Sequence, residues 1–123
     1  MLKYNATNDR KLLDELSGKI FGKAYEKQVG FVLYDNDKPI GLARMTVTET
    51  ISVLEEVGIV EEARKKGNGD FFTRSLIWGL ANVSETVEIG GVCPYFEKFG
   101  FREEGGVMRC PSDKITFPRD CHK

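Results

Sequence analysis

One stretch constrains the fold more than any other. Residues 51–60 (Ile-Ser-Val-Leu-Glu-Glu-Val-Gly-Ile-Val) alternate as a β-strand does, residues 61–69 (Glu-Glu-Ala-Arg-Lys-Lys-Gly-Asn-Gly) are charged and glycine-bearing, and Phe72, Leu76, Leu80 and Val83 then recur at helical spacing. A strand that runs straight into an amphipathic helix must bury the helix stripe against a sheet, so the chain is neither all-helical nor all-β. Within the strand, Ile51, Val53, Glu55, Val57 and Ile59 fall on one face and Ser52, Leu54, Glu56, Gly58 and Val60 on the other. Each face therefore carries a carboxylate at mid-strand.

The flanking sequence supplies the other layers. Residues 2–7 suit a short edge strand, and Asn8-Asp9 cap a helix carrying Leu12, Leu13 and Leu16, with Gly18 as its stop. Residues 29–34 and 40–48 straddle a turn at 35–39 and read as a β-hairpin. After the long helix, 86–89 is a fifth strand and Gly90-Gly91 a break. Residues 94–99 form a short helix with proline at its start and Gly100 past its end, and Phe101 leads into a final strand region. Trp78 reads as part of a packed helix face and Cys93 as a small buried thiol. The order of elements is that of a mixed α/β domain, a central and mostly antiparallel sheet flanked by helices.

Composition narrows what such a domain does. With 123 residues, 41% of them hydrophobic, the chain has material for one domain, spanning 1–123, and one core. Eighteen basic against nineteen acidic side chains leave a net charge of −1, which gives no field to gather nucleic acid. No run approaches the roughly 18 apolar residues that span a bilayer, and the first residues lack a signal-type apolar segment, so no membrane partner is expected. Cys93, Cys110 and Cys121 are odd in number and irregularly spaced, which points to free thiols and a cytoplasmic setting. Cys110, Cys121 and His122 lack zinc spacing and a fourth ligand, so no metal is expected.

The chemistry concentrates in Arg64-Lys65-Lys66-Gly67-Asn68-Gly69. Glycines allow successive N–H groups to turn towards one point, the helix N-terminus adds roughly half a positive charge, and three basic side chains surround it. Such a loop attracts anions. It is not a Walker loop, and Phe72 occupies the position where a dinucleotide fingerprint has its third glycine. Taken alone, a solvated turn with a helix cap explains it equally well. Glu61, Glu62 and Asp70 beside the basic residues disfavour nucleic-acid phosphate.

Two motifs in order change that balance. Arg64, Gly67 and Gly69 match Arg/Gln-x-x-Gly-x-Gly/Ala, and Glu97-Lys98-Phe99-Gly100-Phe101 closes the short aromatic helix. From Val29 to about Arg102 the chain resembles the GNAT superfamily of acetyl-CoA-dependent N-acetyltransferases. The resemblance implies a GNAT-like single domain in which the backbone from Lys65 through Lys66, Gly67, Asn68 and Gly69 to Asp70 holds the coenzyme A pyrophosphate. It also implies that Ile59 and Val60 pair with the pantetheine, that the cofactor lies where the fourth and fifth strands splay apart, and that an N–H near residues 57–59 polarises the acetyl carbonyl. Glu55, nine residues before Arg64, is then the candidate general base for a primary amine of a small molecule or peptide, with Glu56 as the competing carboxylate.

The chain departs from the family in two places. Where the family commonly has a tyrosine general acid this sequence has Phe96, read as a cofactor contact. Tyr95, one residue earlier and rotated by about 100° on a helix, is the remaining candidate acid. The N-terminal helical arm is also short: residues 8–28 offer one helix and a loop, with Ile20, Phe21 and Tyr25 available as an acceptor wall. A shortened arm and an exposed sheet edge would both suit a homodimer. A non-catalytic coenzyme A-binding module or sensor, and a small interaction domain whose glycine loop is only a cap, are the competing readings.

Overall fold

A computed structural model of the chain describes residues 1–118. The elements are β1 (Leu2–Thr7), α1 (Arg10–Phe21), β2 (Gly30–Asp35), β3 (Lys38–Thr46), β4 (Ile51–Ile59), α2 (Asn68–Val83), β5 (Thr86–Ile89), β6 (Arg102–Glu104) and β7 (Val107–Pro111), with 3-10 turns at Glu61–Ala63, Pro94–Phe99 and Ser112–Lys114. Seven strands form one sheet in the order β1-β2-β3-β4-β5-β7-β6. The β4–β5 pair is parallel, which is what a strand–helix–strand crossover through α2 produces, whereas β1–β2, β2–β3, β5–β7 and β6–β7 are antiparallel. The mixed α/β architecture read from the sequence is the one observed. Among the described residues, no helix is long and apolar enough to cross a membrane.

The chain divides into two compact units, Met1–Met45 with Glu56–Ser75, and Thr46–Glu55 with the described residues from Leu76 onward. In the first, Leu13, Leu16, Val32, Leu33, Leu42 and Phe72 are fully buried. The loop after α1 is tied down by Arg10, which donates to the Tyr25 and Lys27 carbonyls and chelates Asp14, while the Tyr25 N–H bonds Asp14 as well. The Tyr25 N–H, and then Arg10, hold the Asp14 carboxyl below the usual carboxylate range. In the second unit, Leu54, Leu76, Ile77, Val87, Phe99, Phe101 and Met108 form the interior.

Several local expectations are corrected. Helix α1 does not stop at Gly18 but runs to Phe21, and Gly22 (φ 73°) ends it by donating to the Ser17 and Gly18 carbonyls. A mid-helix glycine costs about 1 kcal/mol, less than the burial of Ile20 and Phe21 against β4 returns. The region after Phe101 is a β6–β7 hairpin, whose Gly105-Gly106 turn has positive φ at both positions (63° and 90°). Trp78 is 62% exposed, because it lies about 240° around α2 from Phe72. Val83, at the helix end, is exposed too, and Cys93 lies exposed at the bend before the 3-10 turn rather than buried.

The strict alternation expected along β4 also fails. Ser52 and Leu54 are buried and so is Ile59, an odd step, while residues 55–58 are half-buried throughout. The alternation is therefore lost within the segment that carries both glutamates.

Phe72 tests how far the first unit depends on α2. Its ring is 0% exposed and packs at 5.9 Å from that of Tyr4, whose hydroxyl donates to the Ser75 carbonyl. Phe72→Ala is expected to cost about 3–5 kcal/mol, roughly 10–20 °C of melting temperature for a domain of this size. A scanning calorimetry shift of only a degree or two would mean that the unit has another anchor.

Candidate functional site

The anion loop is built by three local devices. The Glu61–Ala63 turn tucks Ala63 inside, and the Asn68 Nδ2 reaches back across the loop to the Ala63 carbonyl at 2.9 Å. Arg64 Nε bonds the Ile59 carbonyl at 2.8 Å, which fastens the loop to the end of β4. Between these ties the backbone swings into the left-handed region at Lys65 (φ 66°) and Gly67 (φ 79°), the alternation that makes neighbouring amides converge. The first bond of α2 runs from Phe71 N–H to the Gly67 carbonyl at 3.0 Å, so the amides of Asn68 and Gly69 belong to the turn that a helix leaves for outside acceptors. A Cβ built on Gly67 meets nothing within 4 Å, and the space over the loop is open. Arg64, Lys65 and Lys66 are exposed around it, while Asp70 turns its carboxylate to Arg74 Nε at 2.7 Å.

The nine cofactor positions from Ile59 to Asp70 named from the sequence thus lie together in the first unit. At the two strand-end positions, the Val60 N–H donates to the Ile40 carbonyl at 2.8 Å, and the Ile59 carbonyl holds Arg64. Register pairing of β4 with β5 covers residues 51–54, and Gly90 N–H closes it on the Leu54 carbonyl, so β4 continues to Ile59 beyond the end of β5.

The two glutamates have different surroundings. Glu56, in the first unit, is 24% exposed, and its Oε1 accepts from Arg44 Nε at 3.2 Å while its Oε2 pairs with Lys23 Nζ at 3.0 Å. Glu55, in the second, accepts from Thr46 Oγ1 at 3.0 Å. Tyr95 and Phe96 share that second unit in an aromatic cluster. The Tyr95 ring stands edge-on to Phe96 and Phe99, Phe96 packs on Phe101, and Lys98 Nζ lies 4.3 Å over the Tyr95 ring. Phe96 is 7% exposed, so its ring serves the interior of that cluster. Cys110 is buried on β7, and burial pushes its thiol pKa up.

Sequence reasoning missed Lys23, Arg44 and Thr46. Their partners lie 33, 12 and 9 residues away in sequence, and no spacing rule links them. The hairpin did offer a hint for Arg44, a cation inside an otherwise apolar strand.

No family model matches the sequence, and no curated protein does either. Solved structures do. The ribosomal-protein-S18-alanine N-acetyltransferase of Escherichia coli aligns over 100% of both chains with a TM-score of 0.74 and 16% identity. A GNAT family acetyltransferase from Brucella melitensis, in complex with acetyl-CoA, aligns over 90% of this chain and 88% of its own, with a TM-score of 0.71 and 13% identity. Ard1 from Thermoplasma volcanium covers 89% and 97%, with a TM-score of 0.70 and 10% identity. The parallel β4–β5 pair, the glycine loop that opens α2 and the alignment of whole chains agree: this chain has the fold of the GNAT-family acetyltransferases.

Proposed function

We propose that the protein is an acetyl-CoA-dependent N-acetyltransferase that transfers the acetyl group directly to a primary amine. The observation that carries this reading is the loop from Arg64 to Gly69, where left-handed residues at 65 and 67 lead into a helix N-terminus, three consecutive cations are exposed, and a Cβ on Gly67 would meet nothing within 4 Å. That donor set fits a pyrophosphate: several N–H groups, fixed in advance, with positive charge around them. The Brucella structure carries acetyl-CoA on the same fold, which supports the assignment.

The residues divide the work as follows. Backbone N–H groups from Lys65 to Asp70 bind the pyrophosphate, and the end of β4 at Ile59 and Val60 aligns the pantetheine. An N–H of residues 57–59 polarises the thioester carbonyl. Glu55 takes the proton from the ammonium, directly or through water, and the free amine attacks. The leaving thiolate, with a pKa near 8.5, is a fair leaving group and takes its proton from water. A cytoplasmic setting suits this use of acetyl-CoA and the free Cys93 and Cys110 thiols. One observation favours a binding module without turnover: Phe96 stands at the usual acid position and is buried among Tyr95, Phe99 and Phe101.

Thermal-shift titration separates the readings. Acetyl-CoA at about 100 times its dissociation constant is expected to add roughly 2.7 kcal/mol of stability, a rise of several degrees. Coenzyme A should act similarly, and thiol release across an amine panel then distinguishes an enzyme from a module that only binds. No shift with any coenzyme A species would sink both.

A further inference from the structure

The end of α1 is pressed onto β4. A Cβ built on Gly58 would stand 2.4 Å from Ile20 Cγ2 and 3.2 Å from the Phe21 ring, so this approach requires a glycine. Gly22 then turns the chain out of the helix, and Lys23 reaches one two-residue strand step, roughly 7 Å, back along β4 to Glu56. Its Nζ lies 3.0 Å from Glu56 Oε2 and 3.3 Å from Glu26 Oε1. Arg44 holds the other Glu56 oxygen and fixes the carboxylate. A primary ammonium docked on two carboxylates, beside residues 57–59, is the arrangement a cationic acceptor needs.

We propose that Lys23 is itself an acetyl acceptor, which the protein modifies in cis from acetyl-CoA, with Glu56 and Glu26 as the docking carboxylates. The proposal rests on the acetyltransferase reading above. The Lys23 ammonium gives up its proton, its lone pair forms the C–N bond, the thioester C–S bond breaks, and the thiolate is protonated. The products are N-acetyl-lysine, coenzyme A thiol and one proton released to solvent. Acetyl-Lys23 carries no charge, so it leaves Glu56 and Glu26 available to an external amine. The site also names the acceptor class, a primary ammonium on a flexible aliphatic chain.

Chemistry without a template would choose other lysines. The Lys23 side chain is 44% exposed against 60% for Lys3 and 59% for Lys19, and the hydrogen bonds it donates to Glu56 and then Glu26 raise its pKa, which lowers the free-amine fraction. Preferential acetylation of Lys23 therefore reports catalysis.

The test incubates the full chain with acetyl-CoA and no added amine, following thiol release and locating acetyl groups by peptide mass spectrometry. Lys23 is expected to acetylate roughly tenfold or more faster than Lys3 and Lys19, because positioning rather than exposure sets its rate. The rate per chain should not depend on protein concentration. Glu56→Gln should bring Lys23 down to the level of the reference lysines, and Lys23→Arg should remove the fast phase of thiol release at an unchanged melting temperature. Lys23 reacting no faster than Lys3 and Lys19, while acetyl-CoA still raises the melting temperature, overturns the proposal and leaves the acetyltransferase reading standing. A rate that climbs with protein concentration overturns transfer in cis. No acetyl-CoA stabilisation at all overturns both.

Discussion

A Gly67→Glu chain is expected to keep its fold and lose acetyl-CoA. Gly67 sits at φ 79°, where any residue with a Cβ is strained by roughly 1–2 kcal/mol. That strain is local, since a Cβ there meets no atom within 4 Å. The glutamate side chain therefore has room at Gly67 and sets a negative charge among the amides proposed to receive a pyrophosphate. Gly67→Ala shares the backbone strain but adds only a methyl group, so it separates stability from binding. Both variants should melt a few degrees below the parent. The rise with acetyl-CoA should survive in part in the alanine variant and vanish in the glutamate variant. A loss of 100-fold or more in affinity, about 2.7 kcal/mol, is the expected scale. If Gly67→Glu is stabilised by acetyl-CoA as the parent is, the loop is a helix cap and the cofactor site lies elsewhere.

The parts of this fold that could be read in the sequence are those that local chemistry dictates. Asn36 and Asp37 adopt positive φ (49° and 72°) in a two-residue hairpin turn, as the polar cluster between two apolar runs suggested. The Arg64–Gly69 motif lies where the strand-to-helix transition required it. What could not be read depends on contacts between distant segments. Gly18 looked like a stop, yet α1 continues because Ile20 and Phe21 find Gly58, some forty residues away. The lost alternation over residues 55–58 leaves no mark in the pattern of residues 51–60, which would satisfy a regularly alternating strand equally well. Glu56 read as the competing candidate base. Its ion pairs become visible only when Arg44 from β3 and Lys23 from the loop after α1 converge on its two oxygens. Trp78 failed for a different reason: an isolated aromatic residue carries no phase, and its angle relative to Phe72 places it outside.

Glu55→Gln is expected to lower kcat/KM for a primary amine by about 10²–10⁴ at neutral pH without abolishing turnover. An amine with a pKa near 10.4 must lose a proton before it can attack, which at pH 7 costs roughly 4–5 kcal/mol. Glutamine keeps the shape and the hydrogen bond with Thr46 Oγ1, so a deficit reports the lost proton acceptor rather than lost packing. Positioning the amine against the thioester is worth more, up to roughly 7–11 kcal/mol, and it survives the substitution, which is why activity falls but persists. The pH profile is the stricter readout. As pH rises towards the amine's own pKa, free amine accumulates without help, so the variant should gain on the parent and the gap should narrow. Binding of acetyl-CoA should be unchanged, because the loop from Lys65 to Asp70 proposed to hold the pyrophosphate keeps every donor. Glu56→Gln gives the contrast: it removes a docking charge held by Arg44 and Lys23, so it should raise KM for cationic amines more than it lowers kcat. If Glu55→Gln matches the parent at every pH while Glu56→Gln loses kcat, the two carboxylates have exchanged roles and Glu56 is the base.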